Sequence, residues 1–480
     1  MLEQMRQGQG SQKQRGFFWL KRGKKSGLAL GLAGLMLVSL GACQSTSQGT
    51  RAARNYATGN RSGILNQLIV PATTMKMPES LERKENPTEK DYKEAQEFQE
   101  ALQKRLASSH YLPGLMAFTQ KLNARLLKSE TETVVYSPLN LYQALSTLAE
   151  GAGGASRAEL LQALGLSDEN VNRKNAADLA YLFQYDDGLL RLQTAQALWL
   201  SDQVSYQKDC VKRLGKDFAS AVYQGRMGDP AYDALLQKWL KDHTGGLLQE
   251  AAAGQKLHPD SLFTFSTALH FKGAWAQAFD PSETHQERFF SPTGEQTVSF
   301  LHRTDIRPVY QGPHFDAIAL PFLGPAQLWL VRPEPGHLEE VATSKALLAL
   351  LEKPDASSQS RVKQVQLSLP RFDIESNLDL SESFQQLGIG KIFSPDQGDF
   401  SPLVGPKQKA FLSDLFHASR LKIDEKGAEA AAFTLMKEGA AAPSESEERC
   451  DFRLDHPFLV VLSAYNGTPL LIARINKISE

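Results

Sequence analysis

The residues of this 480-residue chain that could do chemistry are few and poorly arranged for catalysis. Asp455 and His456 are adjacent, with Ser463 close behind, the three residue types of a relay that activates a hydroxyl. With 10 histidines scattered along the chain, such a juxtaposition is expected by chance. No G-x-S-x-G elbow supports it, and H-E-x-x-H, a Walker loop and C-x-x-C are also missing. The cysteines, at 43, 210 and 450, have no zinc-ligand spacing and are too few for a disulfide framework. Cys210 and Cys450 read as buried small hydrophobes, free to pair only if folding brings them together. Gly151-Ala152-Gly153-Gly154 follows a helical pattern rather than a strand, so it reads as a helix-ending turn and not a phosphate cradle. Neither an enzyme nor a cofactor or metal is expected from this inventory.

The bulk composition agrees. The 41% hydrophobic content is enough for a sizeable core and excludes collagen-like, coiled-coil and wholly disordered classes. A balance of 53 basic against 54 acidic residues gives no electrostatic reason to bind nucleic acid. The N-terminus is different in kind. Lys21, Arg22, Lys24 and Lys25 precede an uncharged run from Ser26 to Ala42, the order of an export signal, so 1–42 is set aside from the fold. Leu40-Gly41-Ala42-Cys43 resembles the lipobox of bacterial lipoproteins. The resemblance implies that Cys43 becomes an acylated N-terminus holding the protein to a lipid bilayer, each buried methylene contributing about 0.8 kcal/mol. Gln44 stands where an aspartate commonly retains such proteins at the inner membrane, which favours the outer membrane in a two-membrane cell. Residues 43–110 are polar with scattered prolines and read as a flexible tether, about 45 Å in root-mean-square reach. Within it, Glu89 to Leu106 has helical spacing at Tyr92, Ala95, Phe98 and Leu102.

From residue 111 onward the pattern is that of one mixed domain. Helices are expected over Leu115–Leu127, after Ser137-Pro138, over Arg157–Leu164 with Ser156 as cap, and over Asp229–His243. Strands are expected at Ser261–Phe271, Phe315–Leu320, Leu328–Val331, Val362–Leu369, Phe458–Ala464 and Leu470–Ile475. Helices come early and strands late without strict alternation, which points to an α+β fold. Phe411 to Asp424 also alternates as a strand. Behind it, Ala428, Ala430, Ala432 and Thr434 are small at every second position, while Glu429 and Phe433 fall on the other face. Lys437 to Glu448 is polar and loop-like. The segment therefore looks fit both for exposure and for a crowded central strand.

Here the chain resembles the serpins, over about 365 residues rather than in one motif. Ser137-Pro138-Leu139, Glu150-Gly151-Ala152-Gly153-Gly154, Thr267 through Trp275, Leu369-Pro370-Arg371-Phe372, Ile423 through Ala431 and Asp455-His456-Pro457-Phe458 fall in family order. The resemblance implies three β-sheets wrapped by eight or nine helices, over 111–480. It further implies suicide inhibition of serine endopeptidases: the loop is cut, an acyl-enzyme forms, and the freed hinge (Gly427, Ala428, Glu429, Ala430, Ala431, Ala432, Thr434) inserts as a new strand. Family spacing from Gly427 places the scissile bond at Ala441-Ala442, within about one residue. A methyl group there suits the shallow pocket of an elastase-like serine protease, with papain-like cysteine proteases a secondary partner. At the position where the sheet opens, the family's hydrogen-bonded Ser, Asn and His are matched by Asn140, Thr267 and His417, beside Ser137, implying a network with an amide and a hydroxyl exchanged. A monomer is expected. The competing expectation is a non-inhibitory serpin acting as a binding or chaperone-like surface lipoprotein, although the hinge here is small and free of proline.

Overall fold

The first element among the described residues is not where the composition puts it. In the computed structural model, which describes residues 66–73, 88–246, 252–354, 359–378, 380–412, 415–428 and 448–479, strand β1 (Gln67–Val70) precedes helix α1 (Glu89–Ser108). Both lie in the stretch expected to be tether. Thr88 caps α1 reciprocally, its hydroxyl accepting from Asp91 N at 3.3 Å while the Asp91 carboxylate accepts from Thr88 N at 2.8 Å. Arg105, near the end of α1, pairs with Asp178 at 2.5 Å.

The chain continues through α2 (Leu112–Leu126), β2 (Val134–Tyr136), α3 (Pro138–Gly151), α4 (Gly154–Ala163), α5 (Glu169–Leu182), β3 (Gln184–Asp186) and β4 (Leu190–Ser201). Next come α6 (Lys208–Asp217), β5 (Ser220–Gly225), α7 (Pro230–His243), β6 (Phe263–Ala274), β7 (His285–Ser291), β8 (Gly294–Gly312), β9 (Phe315–Pro321) and β10 (Ala326–Pro333). The later strands are β11 (Gln359–Pro370), β12 (Phe372–Asn377), β13 (Leu415–Phe416), β14 (Ala418–Ile423), β15 (Gly427–Ala428), β16 (Arg449–Arg453), β17 (Phe458–Ala464) and β18 (Pro469–Ile475).

The first sheet runs β1-β5-β4-β6-β15-β14-β12, with β3 on β4 and β13 on β6. The second runs β16-β11-β8-β9-β10-β17-β18-β2, with β7 on β8. Three sheets were expected, and hydrogen bonding joins two of them. β8 is 19 residues long and pairs with β11 over most of its length, reaching β9 only from Tyr310 to Gly312. The described residues form eleven α-helical segments, against eight or nine expected. The excess includes α1 and the single turn Ser401–Val404. No helix among the described residues is long and apolar enough to cross a membrane.

β1 corrects the expected continuous tether of 43–110. It adds antiparallel to β5, with Gln67 opposite Gln224 and Val70 opposite Val222. Leu68 and Ala72 pack on the cluster around Trp199, Tyr232 and Trp239, while Ile69 and Val70 pack on the main core. Four alternating positions are enough because the edge of a sheet supplies the backbone partners that an isolated segment lacks.

α3 is buried along its whole length, so even its carboxylate needs partners inside. Glu150 accepts from Arg173 at 2.8 and 3.1 Å and from Arg213 at 2.5 Å, which ties α3 to α5 and α6. At its end, a Cβ on Gly153 would sit 2.7 Å from the Asp399 carboxylate, so the glycine turn serves a close approach. Ser156 does not cap α4, which starts at Gly154; its hydroxyl instead accepts from Asp399 N at 3.0 Å. Phe411–Asp424, read as one strand, is described as β13 and β14, parted at His417.

Candidate functional site

The site is a fork between β6 and β14. β13 pairs parallel with β6, Leu415 opposite Phe265 and Phe416 opposite Ser266. Past His417 the ladder stops: β14 bonds β12 on its far side, β6 bonds β4 on its own, and the two do not bond each other. At the other end β15 fills the opening. Gly427 and Ala428 lie opposite Ala274 and Gly273 of β6, and Ala428 lies opposite Ile423 of β14, all antiparallel. Between wedge and fork is a cleft lined by Leu269, Phe271, Arg420, Leu421, Lys422, Ala428 and Leu471. β6 and β14 thus run between fork and wedge without a shared ladder.

The wedge is held by its own turn. Asp424 Oδ1 accepts from Lys426 N at 2.8 Å and from Gly427 N at 3.1 Å. Trp275 donates from its indole to Asp424 O and from its backbone to Lys426 O, each at 3.0 Å, and Phe279 N donates to Glu425 O at 2.9 Å. Only glycine fits at 427, because a Cβ there would meet Gly273 O at 2.0 Å. Ala428 is buried at 2% exposure, which leaves no room for a larger side chain without displacing a flanking strand.

The fork is built on His417. The ring is fully buried, and burial holds the imidazole at about 4, well below its ordinary range. Its Nε2 accepts from Ser137 N at 3.2 Å and meets Ser419 Oγ at 3.2 Å. Ser137 Oγ donates to Leu470 O at 2.7 Å and accepts from Asn140 N at 3.1 Å, capping α3. The expected exchange of an amide for a hydroxyl is not what the fork shows. Neither the Asn140 amide nor the Thr267 hydroxyl bonds the imidazole; His417 Nδ1 and Thr267 Oγ1 are both buried without a hydrogen-bond partner among the described residues. Ser419 was missed, although it lies two positions after His417 and so on the same face of the strand.

The other end of the loop is anchored on the other sheet. β16 pairs parallel with β11, Val365 opposite Cys450 and Ser368 opposite Arg453. Glu448 just before it bonds Lys363 at 3.2 Å. Glu429, Ala430, Ala431, Ala432, Thr434, Ala441 and Ala442 lie outside the described residues, as does Cys43.

Other arrangements that could do chemistry do not assemble. Asp455 and His456 bond at 2.8 Å, but Ser463 Oγ is buried and bonds to neither. Cys210 and Cys450 are both free, and burial raises the Cys210 thiol to about 12.

The model of the serpin family, described as serine protease inhibitor, matches residues 113–478. The chain belongs to the serpins. A serpin-like protein of Thermococcus kodakarensis is 26% identical over 357 residues, covering 73% of this chain and 82% of that one. Serpin-Z1C of Triticum aestivum is 27% identical over 355 residues, covering 70% and 87%. The crystal structure of the thermophilic serpin tengpin in the native state shares the fold, with a TM-score of 0.70 at 18% identity, covering 87% of this chain and all of that one. Serpins are in general protease inhibitors rather than enzymes.

Proposed function

We propose that this serpin is a suicide inhibitor of elastase-like serine proteases, held to a bacterial membrane by acylated Cys43. The observation that carries the reading is the wedge: Gly427 and Ala428 already stand as the first rungs of a strand between β6 and β14. Continuing that register is simple arithmetic. Partners on β6 sum to 701 and partners on β14 to 851, so Thr434 comes opposite both Thr267 and His417. An inserted strand thereby delivers a hydroxyl to the level of the two unpartnered buried atoms of the fork. Ala428, Ala430 and Ala432 share that inward face, where the cleft admits only small side chains.

The chemistry belongs to the protease. Its serine attacks the carbonyl of Ala441, the bond to Ala442 breaks, and the new N-terminus takes up the proton and leaves with β16 while the hinge side stays joined through Ala441 as an ester on the protease serine. Each rung added in the slot between β6 and β14 contributes a net 0.5 to 1.5 kcal/mol, about the usual hydrogen bond in a protein, so the strand inserts cooperatively. The trapped protease is pulled out of register with its own catalytic groups, where a displacement of about 1 Å costs about a hundredfold in rate. Papain-like cysteine proteases form the corresponding thioester and are a second class of target.

The test is to mix the chain with pancreatic elastase and run denaturing electrophoresis. A covalent band together with a released Ala442–Glu480 fragment is expected. Complete cleavage without that band overturns the inhibitor reading and leaves a non-inhibitory binding or chaperone-like serpin. Labelled palmitate incorporation, lost in Cys43→Ala, tests the anchor; label retained in that variant removes it.

A further inference from the structure

The sheet that anchors the far end of the loop carries a cluster with no part in the inhibitory reading. His285 and Glu287 lie on β7 and His302 on β8. His285 Nε2 and His302 Nε2 each lie 3.0 Å from the same oxygen, Glu287 Oε1. The ligand atoms of all three residues lie within 4.8 Å of one another. The imidazole rings stack at 4.2 Å and 7°, so their in-plane lone pairs run side by side and one ring must turn before both point at a shared ion.

We propose that His285, Glu287 and His302 form a binding site for a late first-row divalent cation of the zinc class. Two imidazoles and one carboxylate are a three-ligand zinc set with a fourth position left for water. Around a tetrahedral zinc with bonds of about 2.0 to 2.1 Å, ligand atoms stand about 3.3 Å apart; the two nitrogen-to-oxygen separations of 3.0 Å are close to this, and His285, the exposed member, is the ring that turns to complete the set. Magnesium and calcium are excluded by ligand type, since they take oxygen almost alone.

The cluster is not explained as a set of ordinary ion pairs. Glu287 Oε1 faces two imidazoles at once, and His302 Nε2 is buried yet makes no aligned hydrogen bond to it. Two stacked imidazolium rings would repel, whereas neutral rings bind a cation at Nε2 once their proton sits on Nδ1, the nitrogen that in His302 meets Ser368 Oγ. The surrounding charge permits one. Arg453 pairs with Glu287 Oε2 and with Asp455 at 3.0 Å, so with both imidazoles neutral one arginine stands against two carboxylates.

A second layer holds the ligands. Ser368 Oγ lies 3.2 Å from His302 Nδ1 and orients that ring. Ser368 is opposite His302 on one side and Arg453 on the other, so ligand, serine and arginine form one row across β8, β11 and β16. The cation site thus adjoins the strand that follows the loop. The comparable group His314, His337 and Glu340 lacks this convergence: His314 pairs with Glu334 at 2.8 Å and His337 with Glu340 at 2.9 Å, each in its own pair.

The proposal does not depend on the protease reading, and its test contains no protease. The full chain, stripped with EDTA, is titrated with Zn2+ by calorimetry, with Mg2+ as the control ion. One equivalent of zinc with micromolar affinity is expected, with no magnesium uptake and with a rise in melting temperature from preferential binding to the folded state. His285→Gln and His302→Gln each weaken binding at least about tenfold, an effect of the size seen when even supporting groups are lost. His337→Gln leaves it unchanged. Co2+ in place of zinc gives the visible d–d bands of a tetrahedral site. His285 is half-exposed, so its variant tests the site without threatening the fold, and melting in EDTA checks this. Absence of uptake at about 100 µM zinc, far above micromolar affinity, or uptake that survives His285→Gln and His302→Gln, overturns the proposal.

Discussion

The two ends of the segment proposed as the reactive loop are held by opposite means. On the hinge side, the described part of β15 is a glycine and an alanine, buried between strands that bond each other nowhere beyond the fork. On the far side, β16 is five residues long, edges an established sheet in parallel register, and carries charge: Arg453 to Glu287 and Asp455, with Glu448 to Lys363 just before it. One end is a wedge with room to grow; the other is a strand already fully paired on its inner edge. The difference teaches that the loop is asymmetric by construction. On the proposed insertion, each further hinge residue would gain ladder bonds between β6 and β14, while at β16 any movement must first break bonds.

The largest expected effect comes from cutting the loop. Cleavage removes the covalent tie between the two ends, and filling the slot with about ten rungs raises the melting temperature by more than about 10 °C in calorimetry. Cut and intact protein melting together would break the contrast between a metastable and a settled end.

Next is Thr434→Arg, which brings a charge to the level of His417 and Thr267 on insertion. A buried unpaired charge costs several kcal/mol, so the yield of covalent complex with elastase falls at least about tenfold while cleavage continues. An unchanged yield would contradict the register derived from β15.

A pH effect of intermediate size is expected at the fork. His417 is held at about 4 in the folded state against about 6.5 unfolded. Between those values the unfolded chain binds the extra proton, so stability rises with pH through that window. It is fully present above about 6.5 and lost as pH falls towards 4, by roughly 3 kcal/mol. His417→Gln should flatten this part of the profile in denaturant melts; a slope that persists assigns the effect elsewhere.

The smallest effect is expected on the static edge of the first sheet. Gly215→Ala gains about 1 kcal/mol of helix propensity in α6. Its Cβ, however, would meet Val70 Cγ1 at 2.4 Å and Pro71 O at 2.9 Å. The steric term is larger, so β1 detaches, proteolysis of the segment before α1 speeds up, and global stability changes by less than about 1 kcal/mol. A strongly reduced complex yield in this variant would show that the sheet's outer edge is coupled to the slot, which the contrast above does not require.

Much of the site was legible because its residues obey simple periods. Small residues at every second position from Ala428 identified a strand fit for a crowded interior, and the structure gives Ala428 that environment. The place of Ser137 beside the fork and the buried His417 were legible from family order; that Ser137 caps α3 was not. The partners of His417 were not: Ser419 and the Ser137 amide depend on how β14 meets the start of α3, a contact between elements distant in sequence. β1 was illegible for a related reason. A four-residue segment amid polar chain has no intrinsic preference strong enough to register, and it becomes a strand only because β5 offers an unpaired edge and α6 offers a glycine at the point of contact.

The sequence by itself determined the family, the α+β class and a small residue for the crowded position 428, because side-chain size and spacing act locally and can be read along the chain. Where β6 and β14 part, how far the hinge has entered between them, and that two histidines and a glutamate converge beside the loop's second anchor were decided by the tertiary structure alone. Each depends on distances between strands remote in sequence, and those distances are set when one buried core must satisfy all its backbone partners at once.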